Sequence, residues 1–91
     1  MTKKKYPVKS PDIVVREENG EALLFNPKDG KLICVNKTGI FIWKNCDGAR
    51  SLEDIIKQLI NKYDVPLSCA EKDCAKYFME LKQMGFIGEK V

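Results

Sequence analysis

Histidine is absent from this chain, and arginine occurs only twice, as Arg16 and Arg50. Without histidine the commonest general base is missing. The sequence also has no GxSxG, no P-loop and no GxGxxG after a strand, so nucleophilic and nucleotide-dependent catalysis lack their usual parts. No apolar run approaches the roughly 18 residues needed to cross a membrane. The lysines at the start have no apolar stretch behind them, so they do not read as a secretory signal. Four cysteines are present, Cys34, Cys46, Cys69 and Cys74, but none stands in a CxxC pair and their spacing matches no common zinc motif. Each falls where a small apolar residue would fit, so free, partly buried thiols are expected in a reducing cytoplasm. These gaps predict a protein that is not an enzyme and needs no metal or other cofactor.

What is present suits one small α+β domain. The chain has 91 residues, 44% hydrophobic and 32% charged, which is ordinary globular composition. At this length the core is thin, and a deep catalytic cleft has little room to form. The +3 net charge is local. Lys3, Lys4, Lys5 and Lys9 precede the first acidic residue, Asp12; without them twelve basic face thirteen acidic residues and the body carries −1. Residues 1–10 are therefore expected to be a flexible basic tail, and residues 11–91 a single domain.

Ile13-Val14-Val15-Arg16-Glu17 is a β-branched run that ends at Asn19-Gly20, a dipeptide favoured in two-residue hairpins. Ala22-Leu23-Leu24-Phe25 follows as a second strand, and Asn26 to Gly30 supplies proline and glycine for another turn. Lys31-Leu32-Ile33-Cys34-Val35 returns as a third. The result is a three-stranded antiparallel meander.

After Val35 the apolar period lengthens to helical spacing. Asn36 can cap a short helix through Cys46, with Ile40, Trp43 and Cys46 on one side and Asp47-Gly48 ending it. Ser51-Leu52-Glu53-Asp54 resembles a capping box. Leu52, Ile55, Ile56, Leu59, Ile60 and Tyr63 then trace the apolar stripe of an amphipathic helix, which Val65-Pro66 terminates. Ser68-Cys69-Ala70-Glu71 reads as a second box opening a third helix to Met84, with Gly85 and Phe86 placed for a left-handed stop. Three strands followed by three helices suggest an α+β fold like a winged helix-turn-helix.

That outline permits DNA binding, but the helix that would read the groove carries Lys72, Lys76 and Lys82 against Glu71, Asp73 and Glu80, a net charge of zero. Phosphate attraction supplies most non-specific affinity, so winged-helix DNA binding is the weaker alternative. Recognition of an extended peptide needs no special residues, because a meander has an open edge on which another strand can add.

The order of several short motifs adds to this. Leu24-Phe25-Asn26-Pro27, Gly30, Val35-Asn36-Lys37-Thr38-Gly39, Ile42-Trp43, Asp47-Gly48, Ser51 and Ile55-Ile56 are followed by Phe78, Leu81 and Gly85-Phe86-Ile87. Over roughly residues 11–88 this set resembles the PqqD-like family, or RiPP recognition elements, named for the peptide chaperone of pyrroloquinoline quinone biosynthesis. The resemblance implies a stand-alone, non-catalytic module. It would bind the leader of a ribosomally made precursor peptide as a strand added to the third strand. It would then present that leader to a modifying enzyme such as a radical SAM enzyme, a cyclase or a leader peptidase. Carried onto this chain, the groove would be lined by Lys31, Leu32, Ile33, Cys34 and Val35, with Asp73, Lys76, Tyr77 and Glu80 of the third helix opposite. Asn36, Gly39, Trp43, Asp47 and Gly48 are expected to build the fold. Cys69 and Cys74 depart from the family pattern, Cys74 standing where a larger aliphatic residue is common.

Overall fold

The computed structural model describes residues 6–90. Its elements are β1 (Tyr6–Lys9), β2 (Val14–Glu18), β3 (Glu21–Asn26), β4 (Lys31–Asn36), α1 (Lys37–Lys44), α2 (Leu52–Tyr63), α3 (Leu67–Gln83) and β5 (Ile87–Lys90). β2, β3 and β4 form the expected antiparallel meander in that order, and β1 pairs with β5 in a separate two-stranded ribbon. The meander's first turn is made by Asn19 and Gly20, both at positive φ (51° and 80°), the mirror-image turn that matches strand twist. At the second, Gly30 N–H donates to the Asn26 carbonyl at 2.8 Å, while Asn26 Oδ1 accepts from the Lys28 amide at 3.0 Å.

Each helix begins and ends for a local reason. Asn36 Oδ1 accepts from the Gly39 amide at 3.0 Å and caps α1. The helix stops at Lys44, two residues short of the expected Cys46; Asn45 caps it through its backbone and a side-chain bond to the Phe41 carbonyl at 2.8 Å. At α2 the capping box forms: Ser51 Oγ accepts from the Asp54 amide at 3.3 Å, and Asp54 Oδ2 accepts from the Ser51 amide at 3.1 Å. The expected box at Ser68 does not form. α3 starts two residues earlier, at Leu67 behind Pro66, with the Ala70 amide bonded to the Pro66 carbonyl at 3.0 Å and no side-chain cap. Proline's preset φ already orients the chain for the helix there, and places Ser68 inside the first turn. At its other end Phe86 N–H bonds to the Leu81 carbonyl (2.8 Å) and Gly85 N–H to that of Lys82 (3.1 Å), the paired reverse bonds of a Schellman stop.

The core lies between the meander and the helices. Ala22, Leu24 and Val35 from the sheet meet Ile42 and Trp43 of α1, Ile55 and Leu59 of α2, and Ala70, Cys74 and Leu81 of α3. Phe86 and Ile87 close it after α3. Burial of each large side chain of this set stabilises the fold by about 1.5–3 kcal/mol. Trp43 is part of this core, as expected, and its indole Nε1 donates to the Phe86 carbonyl at 3.2 Å. An edge-to-face pair, Phe41 and Tyr63 with centroids 5.7 Å apart, joins α1 to α2.

The basic start of the chain is partly structural. Residues 6–9, placed by composition in a flexible tail, pair with residues 87–90 from Tyr6↔Lys90 to Lys9↔Ile87. The ribbon is anchored to the helical layer by Lys9 N–H to the Cys46 carbonyl (2.8 Å) and Gly48 N–H to the Pro7 carbonyl (2.9 Å). The Lys9 ammonium lies 5.4 Å over the Trp43 ring. Lys3, Lys4 and Lys5 lie outside the described residues.

Candidate functional site

β4 is an edge strand: within the described residues it pairs with β3 alone, from Asn26↔Lys31 to Glu21↔Asn36. Alternation divides its side chains. Ile33 is half-buried and Val35 is buried on the core side, whereas Leu32, Cys34 and Asn36 are exposed on the opposite face. Val35 therefore belongs to the core and its side chain cannot line a groove, contrary to the expectation from sequence.

Tyr77 of α3 stands beside the C-terminal end of this edge. Gly39 makes the approach possible: a Cβ there would lie 2.9 Å from Tyr77 Cε1 and 2.7 Å from Val35 Cβ. Burial pushes the Tyr77 phenol above its ordinary pKa; the Asn36 backbone amide, facing the phenol oxygen, opposes this, and Glu80, Asp73 and Cys34 add to the rise. The two-residue Asn19-Gly20 turn closes on the pair Glu18↔Glu21, so Glu21 and Leu23 bond to β2 while Ala22 and Leu24 bond to Val35 and Ile33 of β4, and the Asn36 amide is turned away from β3. Since amide direction alternates along a strand, those of Leu32 and Cys34 also point outward from the sheet, and those of Ile33 and Val35 point inward to β3. Of the five β4 residues expected at the site, Leu32 and Cys34 thus present free donors.

The structure brings Asp73, Glu80, Cys34 and the Asn36 backbone into electrostatic range of Tyr77. Lys76 is exposed on the same helix, and Lys31 is exposed at the far end of β4. The outer face of the sheet was not singled out from sequence. Its cross-strand rows are Val14–Phe25–Leu32, Arg16–Leu23–Cys34 and Glu18–Glu21–Asn36. The run Ala22-Leu23-Leu24-Phe25 hides which apolar residues face out; only the pairing register separates buried Ala22 and Leu24 from Leu23, 39% exposed.

All four cysteines are free, with Cys34 and Cys69 exposed and Cys46 and Cys74 buried. Burial pushes the Cys46 thiol up to about 12 and the Cys74 thiol to about 11, so both are protonated and unreactive at neutral pH. Cys34 is raised chiefly by its hydrogen bond to Glu21. Among the described residues no group of three or more His, Cys, Asp or Glu is placed to hold a metal ion. No helix there is long and apolar enough to cross a membrane.

An antiparallel meander with an edge strand at β4, backed by three helices, defines a class of α+β folds able to receive a peptide as an added strand. Comparison places the chain within that class. The family model for coenzyme PQQ synthesis protein D (PqqD) matches residues 21–87, and the chain belongs to this family. The fold is similar to a solved structure described as TbiB1 in complex with the TbiA(beta) leader peptide, with a TM-score of 0.73 and 19% identity. That likeness covers 88% of this chain and 93% of the other. No curated protein matches the sequence.

Proposed function

We propose that this chain is a non-catalytic recognition module that binds the leader of a ribosomally made precursor peptide by strand addition to β4, and presents it to a modifying enzyme. The observation that carries the reading is the open β4 edge, with the Leu32 and Cys34 amides turned outward beside Tyr77. A strand laid there takes its affinity from main-chain bonds and its specificity from flanking side chains. Membership of the PqqD family supports this, as does a fold shared with a protein solved in complex with a leader peptide. A radical SAM enzyme, a cyclase or a leader peptidase would be the recipient, in the cytoplasm where the precursor is made.

Nothing in α3 favours DNA. Its three lysines are balanced by three acids, and Lys82 is paired with Glu89 at 2.6 Å. Duplex affinity at physiological salt should therefore be weaker than the usual non-specific range of about 10⁻⁴–10⁻⁶ M.

The test is backbone NMR during titration with the leader of the cognate precursor. The Leu32 and Cys34 amides should shift most and gain protection from exchange, together with resonances of Tyr77. Saturable binding with the β4 amides unchanged would place the leader elsewhere.

A further inference from the structure

The outer face of the sheet points to what a docked strand must carry. An added residue directly opposite a β4 residue has its side chain on the same face, about 4.5–5.5 Å away between Cβ atoms. Opposite Leu32 it would extend the row Val14–Phe25–Leu32, whose members are all apolar. Val14 and Leu32 are each 54% exposed, so this row ends uncovered at the open edge. An apolar side chain placed there would cover it.

Opposite Cys34 the chemistry changes. Glu21 leans across from β3 so that its Oε2 accepts from Cys34 Sγ at 3.5 Å. This brings a carboxylate one position along, toward the edge. It has no cation among the described residues, because Arg16, the nearest in the rows, is bound to Glu18 at 3.3 Å. A depression of about 540 Å³, lined by Arg16, Glu18, Glu21, Leu23 and Cys34 among others, leaves room over this position. A lysine or arginine opposite Cys34 could lay its aliphatic stem along Leu23 and place its charge at Glu21.

Direction follows from the sheet. All its pairs are antiparallel, and antiparallel pairing is somewhat more stable per residue than parallel. In an antiparallel addition the residue opposite Cys34 precedes by two the residue opposite Leu32. The residue between them, opposite Ile33, turns to the α3 side. We propose that β4 selects peptides with a basic residue, any residue, then a large apolar residue, read by Glu21 and by the Val14–Phe25–Leu32 row. This rests on the strand-addition reading above, and adds a specificity surface on the face of the sheet away from the helices.

Selection of a phage-displayed random dodecapeptide library on the full chain tests it. Lys/Arg–x–apolar should be enriched; Glu21→Lys should replace the basic residue with Asp or Glu, and Leu32→Asp should abolish the apolar preference. For a synthetic Lys-x-Phe peptide, Glu21→Gln should weaken binding by about fivefold, the upper range for an exposed pair, and high salt should erase the difference. The matching Gln-x-Phe peptide should not respond. Cys34→Pro, with folding confirmed by circular dichroism, separates the two ideas. Binders lost in that variant but lacking the pattern, in reverse order, or indifferent to Glu21→Lys, overturn the specificity and leave edge docking intact. No enrichment, or binders indifferent to Cys34→Pro, overturns edge docking and the specificity with it.

Discussion

Proline at Ile33 and proline at Cys34, one residue apart on the same edge strand, should have opposite effects. The Ile33 amide points inward to its partner Leu24, so proline there deletes a ladder bond and leaves the Leu24 carbonyl unpaired. An orphaned buried acceptor costs about 1–3 kcal/mol, and loss of the half-buried isoleucine side chain adds roughly 1 kcal/mol. A destabilisation of about 2–4 kcal/mol lowers the melting temperature of a domain this small by on the order of 10–30 °C. The Cys34 amide points away from the sheet, so proline there removes no ladder bond, only an exposed thiol contact to Glu21. Its stability cost should stay near 1 kcal/mol or below, as for proline accepted on edge strands. It does remove the donor that a docked strand would use, which should weaken leader binding by about tenfold. Thermal melts by circular dichroism, with calorimetric titration of the cognate leader, give both quantities. If Cys34→Pro melts as low as Ile33→Pro, or Ile33→Pro stays native, the amide parity deduced from the strand register is wrong.

Tyr77→Ala should weaken leader binding by about 1–2 kcal/mol, the usual size for an interfacial aromatic, measured by the same titration; unchanged affinity would remove α3 from the site. Gly39→Ala would gain up to about 1 kcal/mol of helix propensity but force a Cβ to 2.7 Å from that of Val35, a clash costing about 1–3 kcal/mol. Net destabilisation in a denaturant melt is expected, and a stabilised variant would show that both Val35 of β4 and Tyr77 can draw back from α1. Thiol labelling at neutral pH should modify Cys34 and Cys69 and leave Cys46 and Cys74 intact until the fold is denatured. Glu21 favours the protonated Cys34 thiol, so Glu21→Gln should speed labelling of Cys34 and extend it to lower pH; an unaltered rate would refute the contact.

Local chemistry carried much of this architecture. The Asn19-Gly20 turn, the Asn36 cap, the Ser51–Asp54 box and the stop at Gly85 each rest on residues within a few positions, so each was legible in order. The Ser68 box failed because two start signals overlap within one turn, and Pro66 took effect first. The β1–β5 ribbon had no local signature. It joins two four-residue segments from opposite ends of the chain, and Ile87–Lys90 has only one strongly apolar member. By itself, then, the sequence determined the meander and the three helices. Only the tertiary structure decided which amides of β4 point outward and which apolar residues of β3 face solvent. The reason is the period of two. A shift of one residue in register reverses every side chain and every amide, and the register is set by the pairing with β3, not by any residue of β4 alone.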